Sequence, residues 1–326
     1  MSINTLHIIY ASDDRGVMPL GVAIHSLIKH ADCNTRYDIH VLSNGISTHS
    51  RQRLQQLADN TCDQHRIIFL DVPPTLLAGH LETYAWPVAA WARVFIPNLL
   101  PDVQGTVLYL DIDTLVCQDL GALLMTPLNG MAVGAVLEHF SHQGSHFNAR
   151  LSIPQDSPGY FNSGVLLMDL DRFREQGLVS RILAYAESHR QQLFCPDQDA
   201  LNGALHNNLQ PIHHKWNWHD GLTRLMLRRS RKTKLNRGAP LEHAVEAALR
   251  PGILHYQGAN KPWRYNYRIE RKRYAQGIRE SGFGEYPLPG KSARLWLKAM
   301  LYAPLYWLTW QRLKRLDAYF KAKPPL

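Results

Sequence analysis

The sequence predicts an α/β chain built on a central, mostly parallel sheet with helices on both faces. Two observations carry that prediction. Across residues 6–72, strand-length apolar runs alternate with stretches of helical spacing in the order β-α-β-α-β. Further on, Val107, Leu108, Tyr109 and Leu110 form an unbroken apolar run, the pattern of a strand buried on both faces.

Taken in order, residues 6–10 predict the first strand, followed by the polar loop Ala11-Ser12-Asp13-Asp14-Arg15-Gly16. Residues 17–31 have helical spacing, with Leu20, Ala23, Ile24, Leu27 and Ile28 on one side. A second strand at 37–42, a second helix at 47–58 and a third strand at 67–72 complete the repeat. Residues 88–100 predict a helix that carries Trp91 and Arg93 and stops at Pro101. After the central strand, residues 131–137 predict another strand, ending in Glu138 and His139. The polar segment 141–158, with Gly144, Pro154 and Pro158, predicts a long loop. Phe161-Asn162-Ser163-Gly164 leads into a strand at 165–170, and 171–189 predicts one helix. Pro196-Asp197-Gln198-Asp199 opens a short helix over 200–206, and 253–256 is a last strand.

The central strand ends in Asp111 and Asp113. If the chain stays extended there, both carboxylates point to one side and could share a Mg²⁺ or Mn²⁺ ion. They could equally cap the following turn. In parallel sheets ligands sit beyond the carboxyl ends of the strands, so Asp13 and Asp14 fall on the same rim. Asp197 and Asp199 would also favour the start of a helix on their own account. Trp216-Asn217-Trp218-His219 suits either stacking on a sugar ring or burial of two tryptophans.

Composition narrows the class. The 326 residues are 45% hydrophobic and 10% aromatic, which is globular. Cys33, Cys62, Cys117 and Cys195 have no paired spacing, which predicts reduced thiols and neither a zinc motif nor a disulfide framework. The first five residues lack a basic region, so no signal peptide is expected. The longest apolar window, 295–310, contains Lys298 and Pro304, so no spanning helix is expected either. There is no Gly-x-Gly-x-x-Gly after the first strand and no Gly-Lys-Ser/Thr loop. A bound nucleotide would have to be held by acids and a metal. The basic run 228–237 comes without a nucleic-acid motif and reads as charged surface, so no nucleic-acid partner is expected.

Four stretches then resemble glycosyltransferase family 8, and within it the bacterial hexosyltransferases of lipopolysaccharide cores. They are Tyr109-Leu110-Asp111-Ile112-Asp113, Phe161-Asn162-Ser163-Gly164-Val165-Leu166-Leu167, Asp197-Gln198-Asp199-Ala200-Leu201-Asn202, and the run from His255-Tyr256-Gln257-Gly258 to Lys261-Pro262-Trp263. Trp91-Ala92-Arg93-Val94-Phe95-Ile96-Pro97 adds a fifth, and the likeness covers residues 6–285. It implies a GT-A fold, a UDP-hexose donor, Mn²⁺ or Mg²⁺, and retention of the α configuration. The implied metal ligands are Asp111, Asp113 and His255. Ala11, Asp13 and the backbone of Ile112 would hold uracil and ribose, and Gly258 and Lys261 the diphosphate. Arg93, Asn162, Ser163, Gly164, Asp197 and Gln198 would line the donor sugar. Three departures fall where sugar or acceptor fit is decided. Arg15 stands for an asparagine near the ribose and phosphates, Glu138 for an aspartate, and Ser163 for an alanine. Glu138 and Trp218 are the candidate acceptor-side residues. Lys261 would stabilise the leaving group, with Gln198 or Asp197 assisting front-face attack.

The charge is concentrated in the tail. From residue 291 onward, eight basic residues and one acid give +7 of the +9 total. Beyond Pro304, Tyr306, Thr309, Leu313, Leu316 and Phe320 recur at three- and four-residue steps. A basic amphipathic helix with aromatics suits an anionic bilayer surface, although a helix packed on the domain has the same pattern. The expected organisation is a glycosyltransferase domain over 1–285 and a membrane-associating tail over 286–326. The expected protein is a metal-dependent enzyme on the cytosolic face of the bacterial inner membrane, acting on a lipid-linked oligosaccharide. A catalytically idle sugar-nucleotide or glycolipid-binding adaptor on the same fold is the alternative.

Overall fold

The computed structural model of the chain describes residues 4–59, 65–77, 88–138, 143–154, 156–219, 241–258, 261–263, 271–284 and 293–322. The basic run 228–237, Cys62, Ala259 and Asn260 lie outside the described residues. The strands are β1 Asn4–Ser12, β2 Thr35–Ser43, β3 Arg66–Asp71, β4 Thr106–Leu110, β5 Thr114–Val116, β6 Val133–Leu137, β7 Phe161–Asp169, β8 Leu209–Pro211 and β9 Ile253–His255.

The chain divides into two compact units. The first comprises Met1–Leu20, Ala31–Ile112 and Leu120–Ile212, and it carries a seven-stranded sheet in the order β3-β2-β1-β4-β7-β6-β8. β1, β2, β3 and β4 run parallel, as the alternation predicts, and β6 pairs parallel with β8. Only β7 runs antiparallel to its neighbours β4 and β6. Val107, Leu108, Tyr109 and Leu110 on β4 are all at most 1% exposed, which is why that strand reads as uninterrupted apolar sequence. The second unit comprises Gly21–His30, Asp113–Asp119 and His213–Leu326, and holds the two-stranded antiparallel sheet β5-β9.

Five sequence expectations are corrected. The helix expected over 88–100 is a 3-10 helix, Val88–Phe95, followed by the short α-helix Ile96–Leu99 with Pro97 in its first turn. Proline lacks the N–H that a continuous helix would need there. The helix expected over 171–189 is two, Leu170–Glu175 and Leu178–Ser188, because Gly177 takes a left-handed φ of 59° between them. The segment 141–158 is not wholly loop but contains the helix Gln143–Arg150. Phe147 of that helix stacks on Tyr160 with ring centres 4.6 Å apart, and Tyr160 packs with Leu151 and Ile153. β7 starts at Phe161, not at 165, so the Asn-Ser-Gly triplet is itself strand. Finally, the chain does not stay extended after β4: Ile112 and Asp113 form a turn into β5.

The tail forms one helix, Ala293–Ala322. Leu313 is buried, and Asp317 is bound by both terminal nitrogens of Arg250, at 3.0 and 2.8 Å, beside the helix Leu241–Leu249. Part of the predicted stripe therefore packs inward. Trp307, Leu308 and Tyr319 remain 61%, 58% and 57% exposed. No described helix is long and apolar enough to cross a membrane.

One part-buried histidine pair in the first unit is expected to make the fold acid-sensitive. His7 Nδ1 lies 3.0 Å from His40 Nε2, and His40 Nδ1 has no hydrogen-bond partner among the described residues. Burial, reinforced by His7, pushes the His40 ring down to about 4. An unfolded histidine takes its proton near pH 6.5, which the folded ring refuses. Stability is therefore present above pH 6.5 and is lost as pH falls from there to about 4. The expected loss is on the order of 1–3 kcal/mol. Urea unfolding at pH 7 and pH 4.5 measures it, and His40→Leu is expected to flatten the pH dependence. An equally steep profile in that variant would place the acid sensitivity elsewhere.

Candidate active site

At the end of β4 in the first unit, a buried arginine organises two acids. Arg93 comes from the 3-10 helix Val88–Phe95 and is 5% exposed. Its guanidinium lies 2.9 Å from Asp111 Oδ1 and 3.3 Å from Asp197 Oδ2, and 4.6 Å above the Tyr109 ring. It also donates to Ser163 O at 2.7 Å and Ser163 Oγ at 3.1 Å. Tyr109 Oη donates to Asp111 Oδ1 at 2.8 Å, and Asp111 N–H donates to Gly164 O at 2.8 Å. Burial would weaken the Arg93 charge, but Asp111, Tyr109 and Asp197 hold its pKa above the ordinary value. Burial also raises the Asp197 carboxyl, against the pull of Arg93.

β7 supplies the next side chains. Asn162 donates to Glu138 Oε1 at 2.8 Å and accepts from Gly164 N–H at 2.9 Å. Ser163 N–H donates to Gln198 Oε1 at 2.9 Å. Glu138, Asn162, Ser163, Gly164, Arg93, Asp111, Asp197 and Gln198 thus form one polar cluster in the first unit. Because β7 is antiparallel to β4, the start of β7 meets the end of β4.

The loop after β1 is pinned close by. Asp13 Oδ1 accepts from Gly16 N–H at 3.0 Å, and Arg15 grips Asp13 Oδ2 at 3.0 and 2.8 Å, while the Arg15 side chain is 88% exposed. A Cβ on Gly16 would sit 2.4 Å from Ser12 Oγ and 2.7 Å from Ile112 Cδ1. Glycine lets this loop lie so near Ile112 without displacing either side chain. Ala11 is buried on β1 just before it.

In the second unit, the β5-β9 pairing Thr114↔His255 holds His255 against Asp113. His255 Nε2 is 3.2 Å from Asp113 Oδ1, and Lys261 Nζ contacts Asp113 Oδ2 and donates to Tyr256 O at 3.2 Å. His255 Nδ1 is engaged by Asn217 Oδ1 at 2.9 Å, which turns Nε2 toward Asp113. Burial would raise the Asp113 carboxyl, but His255 and Lys261 hold it well below the usual carboxylate range. Gly258 adopts a left-handed φ of 81°. Trp216 and Trp218 are both buried, and the Trp218 backbone bridges to Leu254.

Asp111 precedes Asp113 by two residues. One ligand atom from each of Asp111, Asp113 and His255 lies within 4.8 Å of the others. Two carboxylate oxygens and an imidazole nitrogen fit a divalent cation of the Mg²⁺ or Mn²⁺ class, and Asn217 orients the imidazole from behind. Asn217 was legible only as part of an aromatic cluster. Tyr160 and Asp199, which bracket Gln198, carried no sequence signal of that role.

Comparison with known proteins agrees with this geometry. The family model described as "Glycosyl transferase family 8" matches residues 7–267. General stress protein A of Bacillus subtilis is 28% identical over 265 residues, covering 80% of this chain and 88% of that protein. Lipopolysaccharide 1,2-glucosyltransferase of Escherichia coli is also 28% identical over 265 residues, covering 80% of this chain and 75% of the enzyme. The crystal structure of the galactosyltransferase LgtC, in complex with donor and acceptor sugar analogues, superposes with a TM-score of 0.71 at 26% identity. That superposition covers 90% of this chain and all of LgtC, and the shared architecture is the GT-A fold. The chain belongs to glycosyl transferase family 8.

Proposed function

We propose that this chain is a retaining hexosyltransferase that moves galactose or glucose from a UDP-sugar to a lipopolysaccharide or lipooligosaccharide core acceptor. The observation that carries the reading is the Asp111, Asp113 and His255 cluster within a family 8 chain. The similarity to a lipopolysaccharide glucosyltransferase and to a galactosyltransferase supports the substrate class.

Asp111, Asp113 and His255 would hold Mn²⁺ or Mg²⁺. When bound, that ion supplies positive charge to the diphosphate of the leaving UDP. Breaking the anomeric C–O bond builds negative charge on UDP and positive charge on the sugar ring. Lys261, with Gly258, offsets the first as preorganised electrostatics. Ala11, Asp13 and the Ile112 backbone accept the nucleoside. Asp13 is held by Arg15, so that ion pair opens or shifts when a ribose hydroxyl approaches. Arg93 bridges Asp111 and Asp197 and holds them in place, and Asn162, Ser163, Gly164 and Glu138 bank the sugar. Gln198 is an amide and a poor nucleophile. The acceptor oxygen therefore attacks from the face the leaving group departs, with Gln198 and Asp197 stabilising the cationic ring. Glu138 and Trp218 are the acceptor-side residues of this reading.

A screen of UDP-glucose and UDP-galactose against core oligosaccharides, with and without Mn²⁺, tests the reading. Metal-dependent transfer of one hexose is expected. Absence of both transfer and donor hydrolysis would favour an idle sugar-nucleotide-binding adaptor on the same fold.

The tail is proposed to bind an anionic bilayer through the face bearing Trp307, Leu308 and Tyr319, flanked by Arg312, Lys314, Arg315 and Lys321. Each basic residue near such a surface contributes roughly 1 kcal/mol. Leu313 and Asp317 face the body, so cutting the tail would also disturb packing. Replacing Trp307, Leu308 and Tyr319 together by serine is the cleaner test. Flotation with phosphatidylglycerol vesicles is expected to fall several-fold, with turnover on a soluble acceptor retained. Unchanged flotation would remove this face from the membrane contact.

A further inference from the structure

Gln198 is held in one amide orientation by a neighbour that no ligand needs to touch. Tyr160 is 3% exposed and precedes β7. Its hydroxyl lies 2.7 Å from Asp199 Oδ1 and 3.0 Å from Gln198 Nε2. Asp199 is fully buried. Its oxygens also accept from Arg150 at 3.0 Å, Phe194 N–H at 2.5 Å and Cys195 N–H at 2.9 Å. Surrounded by four donor groups, this carboxylate acts as acceptor only. The single Tyr160 hydroxyl proton must therefore go to Asp199, and toward Gln198 the same oxygen can only accept. That fixes the Gln198 NH₂ group on the Tyr160 side. The carbonyl oxygen is left on the Ser163 side, where Ser163 N–H donates at 2.9 Å and Ser163 Oγ lies at 3.3 Å. Ser163 Oγ is in turn bound by Arg93.

We infer that Tyr160 is a positioning residue for the transfer reaction, setting through the Asp199 carboxylate which end of the Gln198 amide faces the Ser163 strand. The inference rests on the proposed role of Gln198 at the donor sugar. A flipped amide would present NH₂, with its partial positive charge, where the oxygen now lies, and would leave Ser163 N–H without its acceptor. The orientation thus decides the sign of the dipole beside a ring that becomes cationic.

The test is a double-mutant cycle of Tyr160→Phe and Gln198→Met, measured as kcat and donor KM with thermal melting as a check on folding. Phenylalanine keeps the stack on Phe147 and removes only the hydroxyl. Tyr160→Phe is expected to lower kcat roughly tenfold, with donor KM changed less than about twofold, as for an interaction made in the transition state. In the Gln198→Met background, which has no amide to orient, the same change is expected to cost nothing further. A kcat within about twofold of wild type in Tyr160→Phe, or an equal fall in both backgrounds, overturns the inference while leaving the hexosyltransferase reading intact. A wild-type chain that transfers no hexose overturns that reading and the inference with it. Should Tyr160→Phe melt early, Tyr160→Trp serves as the second variant. It keeps an aromatic ring but offers no oxygen to accept from Gln198, so the same loss confined to the Gln198 background is expected.

Discussion

Replacing Asp111 and Asp113 together by alanine is expected to reduce hexose transfer by at least about a thousandfold while the chain stays folded. Removing one preorganised electrostatic group from a developing anion commonly costs about 100- to 1000-fold, and in the proposed reaction both carboxylates would hold the metal that faces the diphosphate. Some stability is expected to be lost with the Asp113 pairing to His255 and Lys261, short of unfolding the chain. The substitution leaves Arg93 its contact with Asp197, and leaves Lys261 partly exposed to water. Mn²⁺ binding followed by electron paramagnetic resonance gives a readout independent of turnover. The wild-type chain is expected to broaden the free-ion signal and the double variant is not. Retained Mn²⁺ binding in the variant would remove both acids from the metal site.

Arg93→Met is expected to be the most damaging single substitution to the fold. It would leave Asp111 and Asp197 close to each other without the cation that joins them, and would strip Ser163 of two hydrogen bonds. Breaking a buried ion pair by removing one partner costs about 3–5 kcal/mol. Arg93→Lys retains the charge but not the planar fork that reaches two acids and a carbonyl at once, so only partial rescue is expected. The pH dependence gives a second check. Without arginine the Asp197 carboxyl, already raised by burial, lies further above its unfolded value. The deficit relative to wild type is therefore expected to be largest near pH 7 and to narrow toward pH 5, as protonation removes the uncompensated charge. A deficit that is constant with pH would mean that lost packing, not charge, is responsible.

Much of this was legible because the relevant residues sit on regular elements. The alternation over residues 6–72 and the apolar run of β4 are consequences of burial on both sheet faces, and composition records burial directly. Three of the family stretches meet within the first unit, where Asp111 bonds to Gly164, Ser163 bonds to Gln198, and Arg93 of the fifth stretch joins Asp111 to Asp197. What was not legible depends on partners far along the chain. The turn at Ile112 and Asp113 follows from β5 pairing with β9, more than 130 residues later. The helix Gln143–Arg150 is polar in sequence, and its tertiary contacts run through Phe147 to Tyr160 and through Arg150 to Asp199. The break at Gly177 needed a backbone angle, which one glycine in a polar stretch does not announce. In the tail, periodicity identified an apolar stripe but could not say that Leu313 faces the body.

The reversal of β7 has a practical side for anyone wishing to change which sugar such a protein handles. Asn162, Ser163 and Gly164 lie on β7 between its β4 pairing, from Thr106↔Asp169 to Leu110↔Val165, and its Leu137↔Phe161 pairing with β6. Sheet alternation dictates where each of their side chains goes, so exchanging one does not re-aim the others. Glu138, one residue past β6, is tied to Asn162 by a hydrogen bond. Positions 138, 162 and 163 thus form a small, rigid keyboard on which substitutions can be read one at a time, before any flexible loop is altered.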